Sequence, residues 1–126
     1  PGEFARMIGR TVPEVQADRE GLAKGLAAQL GAVVLLKGTA TVVTDGTRVS
    51  VNPTGNPGMA TGGTGDVLTG LIAAFIGQRL PAFDAAVLGA WAHGRAGDLA
   101  AAELGQTALT AADVLAHLPA AVRGVE

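Results

Sequence analysis

The residues best placed to do chemistry are Gly62-Gly63-Thr64-Gly65-Asp66, where a polar loop meets an apolar run. Upstream lies Asn52-Pro-Thr-Gly-Asn-Pro-Gly-Met-Ala-Thr61, and downstream Val67-Leu-Thr-Gly-Leu-Ile-Ala-Ala-Phe-Ile76. The apolar run predicts a helix from about Gly65 to Gln78, so the glycines would lie at its entrance. The first-turn amides of a helix have no intrahelical partner, and the helix dipole favours negative charge there. Glycines let the backbone approach a bound anion closely. Gly63, Thr64 and Gly65 are therefore candidates for an anion hole. Asp66 places a carboxylate where an attacking hydroxyl could be held beside a phosphate, which points to phosphoryl transfer. On these five residues alone, a tight turn with Asp66 as a favourable first-turn acid accounts for the pattern equally well.

A second candidate is Lys37-Gly38-Thr39-Ala40-Thr41, directly after the apolar run Ala32-Val-Val-Leu-Leu36. A short continuous run of that kind, following a helix, predicts a strand buried on both faces of a parallel sheet. In open α/β sheets, ligands gather beyond the carboxyl ends of the strands. The hydroxyls, glycine and backbone groups of 37–41 could receive a nucleotide there. A solvent-facing lysine in an ordinary turn is the competing reading.

These segments need elements to hold them. Pro1–Ile8 reads as a turn and a short helix, with Phe4, Met7 and Ile8 at helical spacing. Thr11–Gln16 reads as a loop around Pro13. Asp18–Leu30 reads as an amphipathic helix with Leu22, Leu26 and Leu30 on one face, stopped by Gly31. Thr41–Thr44, Asp45-Gly46 and Thr47–Val51 form a hairpin pattern with a tight Asp-Gly turn, at the edge of the sheet. Asn52–Thr61 is too polar and broken for a regular element; Asn56 is expected to fix it by hydrogen bonding, with contact to a ligand as the alternative, and Met59 to pack. The helix after Gly65 is apolar around most of its circumference, so cover on several sides is expected, with stiff, preorganised first-turn amides.

The next helix runs from Pro81 to about Leu104, its alanines allowing close approach and Trp91 anchoring it. His93 reads as a satisfied or half-exposed histidine rather than a catalyst, and Asp98 and Glu103 as surface acids. Gly105–Ala108 is a loop. A last helix begins at Thr110 as N-cap with Asp113 in its first turn, docks through Val114, Leu115 and Leu118, and is bent or interrupted at Pro119. His117 is expected to be exposed.

Composition narrows the function classes. The 126 residues suffice for one domain or part of one, and 48% hydrophobic against 16% charged residues suits a packed core. A net charge of −2 gives no footprint for nucleic acid or an anionic membrane. No cysteine is present, which excludes disulfides and thiolate metal sites and fits a reducing cytoplasm. The run Val67–Ile76 is too short to cross a bilayer. No His, Asp and Glu spacing makes a metal cage.

Asn52–Asp66 resembles the C-terminal signature of the NAD(P)H-hydrate dehydratase family, a ribokinase-like branch of α/β enzymes. The likeness extends to Pro1-Gly2-Glu3-Phe4, to Val34-Leu35-Leu36-Lys37-Gly38 and to Leu109-Thr110-Ala111-Ala112-Asp113-Val114-Leu115, and so covers nearly the whole chain. It implies that residues 1–126 are the C-terminal portion of one longer ribokinase-like domain, with a central sheet flanked by helices and an antiparallel edge hairpin. It implies dehydration of hydrated NADH or NADPH, driven by ADP or, in eukaryotic-type members, ATP. Asp66 would orient and deprotonate the substrate hydroxyl, and Gly63–Gly65 would hold the migrating phosphoryl group. Lys37, Gly38, Thr39, Ala40 and Thr41, with Gly65, would bind the AMP portion. Mg2+ would accompany the nucleotide phosphates. Further copies of the chain and a fused or separate epimerase are the expected protein partners. The Gly-Thr-Gly-Asp logic leaves two alternatives, a small-molecule kinase of the same superfamily and a nucleotide-binding module without turnover.

Overall fold

The structure, a computed structural model, describes residues 1–125 and separates into two compact units, Pro1–Asn52 and the residues from Pro53 onward.

In the first unit, helices α1 (Gly2–Ile8), α2 (Val12–Ala17) and α3 (Arg19–Leu30) precede strands β1 (Val34–Leu36), β2 (Val42–Thr44) and β3 (Val49–Val51). Phe4, Ala5, Val15, Ala23, Leu36 and Val42 make its core, with Leu22 and Leu26 packed against them. Leu30 belongs to the expected apolar face of α3 yet is 58% exposed; the alanines Ala23 and Ala27 are buried instead.

Helix α2 replaces the loop expected around Pro13. Thr11 caps it: its hydroxyl accepts from the Glu14 amide, and the Glu14 carboxylate accepts from the Thr11 amide at 2.7 Å. That reciprocal pair satisfies two orphan donors, and Pro13 sits within the first turn, where a missing N–H costs nothing. The Asp18 carboxylate caps α3 through the Gly21 amide, and Gly31 ends it in a left-handed conformation, as its position implied.

The sheet is antiparallel, in order β1-β2-β3, with Leu35 opposite Val43 and Val43 opposite Ser50. The parallel arrangement expected around Ala32–Leu36 is therefore corrected among the described residues. The link from Leu36 to Val42 is too short for a parallel crossover, which needs a dozen residues or more. The hairpin is present, but Thr44 pairs with Val49, so the loop is Asp45–Arg48 and Thr47 lies outside the strand. The Asp45 carboxylate takes over the turn: Oδ1 accepts from the Thr47 and Arg48 amides at 2.9 and 2.7 Å, and Oδ2 from Arg48 Nε at 2.8 Å. These amide bonds hold its pKa down at about 2.

The second unit holds a 3-10 turn (Pro57–Met59) and helices α4 (Thr64–Gly77), α5 (Ala82–Leu104) and α6 (Ala111–Arg123). Ala96, Ala100, Leu109, Val114 and Ala121 form its core, with Met59, Val67, Leu99 and Leu118 against it. Small residues on α5 bring its neighbours close: a Cβ on Gly89 would lie 2.5 Å from Ile72 Cγ1 of α4, and one on Gly97 would collide with the Met59 sulfur.

Three expectations for this unit are corrected. Helix α4 is not covered all round: Leu68 and Phe75 are buried, but Ile76 is 48% exposed, because within the unit α5 and α6 pack on it from one side. Helix α6 runs through Pro119 to Arg123. Pro119 and Leu115, whose carbonyl would take the missing amide bond, both face solvent, so water can serve that carbonyl. His117 is engaged rather than exposed, with Nδ1 2.7 Å from the Asp113 carbonyl and Nε2 2.9 Å from Glu103 Oε2. Among the described residues no helix is long and apolar enough to cross a membrane.

Candidate active site

Asn56 starts the 3-10 turn by accepting from the Gly58 amide at 3.0 Å, its cap confirming the loop-fixing role expected of it. The chain then reaches Gly63, the N-cap of α4, at φ 91. A side chain there is disfavoured twice, by the left-handed backbone and by Ala111, whose Cβ would lie 3.2 Å from an added Cβ. Thr64 opens the helix and is buried. Its hydroxyl turns inward and is shared between the Met59 and Thr61 carbonyls at 2.9 and 3.0 Å. Thr64 can therefore meet an anion with its backbone amide and not with its side chain.

Gly63, Thr64, Gly65 and Asp66 are thus brought together in the first turn of α4, as their spacing implied. Gly65 is half-buried and Asp66 is exposed to solvent. His93 Nε2 lies 2.9 Å from the Thr64 carbonyl. A carbonyl can only accept, so Nε2 carries the proton and donates. His93 is thus the satisfied, half-buried histidine expected from the sequence, and its bond ties α5 to the first turn of α4.

The other end of the loop is held by the same helix. The Thr54 hydroxyl donates to the Trp91 carbonyl at 2.9 Å. Asp98 Oδ2 accepts from the Gly55 amide at 3.0 Å, and Oδ1 from Asn56 Nδ2 at 2.9 Å. Asp98, read from sequence as a surface acid, is thus half-buried and occupied by the loop. The helical spacing of Trp91, Gly94, Gly97 and Asp98 was the available signal, since small residues one turn apart mark a face that admits another backbone closely.

In the first unit, Lys37, Gly38, Thr39 and Ala40 are exposed beyond the end of β1, and Thr41 is half-buried. Gly38 and Ala40 have φ of 144 and 57, and the Thr41 hydroxyl donates to the Gly38 carbonyl at 3.1 Å. Sequence reasoning missed the residue that braces this loop. Arg19 donates from Nη1 to the Thr39 carbonyl at 2.9 Å, and from Nη2 to the Leu36 and Lys37 carbonyls at 3.1 and 3.3 Å. Nothing local in the sequence points from the start of α3 to this loop. Asp18, Arg19, Glu20, Thr39 and Ala40 line an open hollow of about 380 Å³. Among the described residues no three His, Asp or Glu side chains converge as a metal cage.

The NAD(P)H-hydrate dehydratase family profile matches residues 1–120. The bifunctional NAD(P)H-hydrate repair enzyme Nnr of Moorella thermoacetica is 52% identical over 128 residues, which cover 100% of this chain and 24% of that protein. The ADP-dependent (S)-NAD(P)H-hydrate dehydratase of Neisseria meningitidis is 48% identical over 100 residues, covering 79% of this chain and 34% of the relative. Among solved structures, the ADP/ATP-dependent NAD(P)H-hydrate dehydratase of Bacillus subtilis, co-crystallised with ATP/Mg2+ and soaked with CoA, superposes with a TM-score of 0.95 at 38% identity. That alignment covers 100% of this chain and 47% of the Bacillus chain. The chain thus spans less than half the length of each of these proteins. The ribokinase-like α/β fold expected from the sequence is the fold found. By profile, identity and superposition alike, the chain belongs to the NAD(P)H-hydrate dehydratase family.

Proposed function

We propose that the protein to which this chain contributes removes water from hydrated NADH or NADPH at the expense of ADP. The observation that carries the reading is the first turn of α4: a left-handed Gly63, an inward-locked Thr64 hydroxyl and an exposed Asp66 two residues on. Backbone amides fixed in that way act on developing negative charge without reorganising during the reaction.

In the proposed reaction, Asp66 orients the hydroxyl of the hydrated ring and takes its proton as the oxygen attacks the terminal phosphorus of ADP. The bond from that phosphorus to the bridging oxygen breaks, and AMP leaves. The Thr64 and Gly65 amides hold the phosphoryl oxygens in flight. Phosphate then departs with the carbon–oxygen bonding pair, driven by the ring nitrogen's lone pair, and loss of a proton from the adjacent ring carbon restores the dihydropyridine. A helix N-terminus favours the ionised carboxylate and so makes Asp66 a weak base. A loose phosphoryl-transfer transition state needs little deprotonation before attack, so positioning matters more than basicity.

Lys37–Thr41, with Gly65, is assigned to the AMP portion of the nucleotide. Its exposed backbone, braced by Arg19, supports that assignment. Magnesium would arrive on the nucleotide phosphates, an arrangement common for this ion. The described residues do not form a site for it by themselves, and no step here depends on it. We further read the chain as the C-terminal portion of one longer domain in a homo-oligomeric, cytoplasmic enzyme. The partial coverage of the solved relative supports the first of these, and the absence of cysteine is compatible with the last.

The test is incubation of the intact protein with hydrated NADH and ADP. The expected result is recovered near-ultraviolet absorbance of reduced nicotinamide with one orthophosphate per turnover. A stable phosphorylated alcohol would replace this reading by a kinase, and ADP binding with no turnover would replace it by a binding module.

A further inference from the structure

We infer that Asp98 is a positioning residue for the anion turn, acting through Asn56; the inference deepens the dehydratase reading and rests on it. Asp98 lies on the face of α5 from which Gly94 and Gly97 admit the loop, between buried Gly97 and half-buried Leu99. Both of its oxygens are committed to that loop, one to the Gly55 amide and one to the Asn56 side-chain amide. The Asn56 oxygen in turn accepts from the Gly58 amide, which leaves its nitrogen to face Asp98 and so fixes the amide orientation. Gly58 is packed closely against the backbone of Gln106: an added Cβ would stand 2.7 Å from the Gln106 carbonyl oxygen. Next in the chain, Met59 seats its side chain against Gly97 and offers its carbonyl to the Thr64 hydroxyl.

An unbroken relay therefore runs from the Asp98 carboxylate through Asn56, Gly58 and Met59 to the residue that opens α4. Gly55, at φ 106, is held in a left-handed conformation at its start. A charged acceptor at the root of this relay makes its two hydrogen bonds stronger than neutral ones would be. The surroundings of Asp98 are those of a brace: its oxygens point at the loop's own donors and not into open space.

The donor and acceptor pattern yields a test that separates bracing from chemistry. In Asp98→Asn the new amide has one acceptor for two donors, so an N–H faces an N–H. Exchanging the pair, Asn56→Asp with Asp98→Asn, restores every bond: the new carboxylate accepts from Gly58 and from the new amide, whose oxygen accepts from Gly55. In the intact protein, Asp98→Asn is expected to lower kcat with hydrated NADH by about a hundredfold, the scale of a displacement near 1 Å at a reacting centre. It should also weaken ADP binding by calorimetry about tenfold, the loss of one charge-assisted contact at the phosphate. The exchanged pair should recover both to within about threefold, since the two changes are coupled through one contact.

Unchanged kcat and ADP affinity in Asp98→Asn, with only a lower melting temperature, would overturn the inference. So would an exchanged pair that melts like the wild type and stays inactive, since a carboxylate at 98 would then be needed for its own chemistry. If the exchanged pair does not fold, Asn56→Ala carries the test: it cuts the relay, leaves Asp98 intact, and must lower kcat about tenfold or the inference fails. A wild-type protein that converts no hydrated NADH counts against the dehydratase reading instead, and ADP affinity across the same variants still decides the positioning claim.

Discussion

The proposed reaction gives Asp66 and Gly65 different work in one helical turn, and their substitutions should separate it. Asp66 is exposed and, in the proposed reaction, touches the acceptor rather than the nucleotide. Asp66→Asn should keep ADP affinity in calorimetry and lower kcat about a thousandfold, within the range a positioned acid or base contributes. Near-normal turnover would remove Asp66 from the reaction. In the proposed reaction a side chain at Gly65 would intrude on the bound phosphate, so Gly65→Val should weaken ADP binding about a hundredfold while the melting temperature moves little. Unchanged affinity would place the phosphates elsewhere. The geometry of this turn was legible in sequence because it is local: glycine, glycine and a first-turn acid are read from adjacency alone. His93, Asp98 and Arg19 were not. Each acts on a segment distant in sequence, and a single histidine, aspartate or arginine on a helix carries no mark of which carbonyl or amide it will meet.

At the level of elements, α5 is the template for the site. Gly94 is buried where the loop crosses it, and an added Cβ would collide with the Thr54 hydroxyl and stand 2.7 Å from the Thr54 carbonyl carbon. Backbone cannot swing away as a flexible side chain would. Gly94→Ala should therefore cost about 1–3 kcal/mol in denaturant unfolding, the usual penalty of overpacking, and lower turnover by shifting the loop. A variant as stable and active as the wild type would show that the loop is not moulded on α5. Elsewhere, legibility followed period and capping. The long helices, the Gly31 stop and the Thr110 cap declared themselves. Helix α2 did not, because Pro13 was read as a breaker although Thr11 and Glu14 form a capping box around it. The parallel reading of β1 rested on hydrophobicity alone, and the five residues linking it to Val42 already exclude a parallel pairing with β2.

Helices α5 and α6 also share a proton-dependent tie. Both ring nitrogens of His117 face acceptors, the Asp113 carbonyl and the Glu103 carboxylate, so both bonds form only with the doubly protonated ring. The Glu103 hydrogen bond first, and the Asp113 carbonyl second, raise the His117 pKa above its usual value. A folded-state pKa raised in this way stabilises fully below the unfolded value, and the contribution is lost as pH rises through the folded one. His117→Gln should therefore lower the melting temperature more at about pH 5 than at about pH 9. An equal loss at both would mean that the ring acts by packing and not by charge.

For the molecule as a whole, apolar surface is the open account. Met7 is 68% exposed, Leu30 58% and Ile76 48%, and Val49 and Val51 point outward from β3. Single exposed apolar residues are ordinary, but these recur on α1, α3, α4 and the sheet edge. Apolar groups left in water lose about 25 cal/mol for each Å² that could be buried. If residues 1–126 are the C-terminal portion of a longer domain, the remainder of that domain covers such faces. The isolated 126-residue chain should then bind an apolar fluorescent dye several times more strongly per mole than the intact protein, and should self-associate in sedimentation at micromolar concentration. The excess dye signal should fall when Ile76 and Leu30 are replaced by glutamate in the isolated chain. In the intact protein the same two changes should destabilise by about 2 kcal/mol each, the cost of losing a buried aliphatic side chain. An isolated chain that is monomeric, dye-silent and as stable as the intact protein would instead make these 126 residues a domain in their own right, with Ile76 and Leu30 as ordinary surface residues.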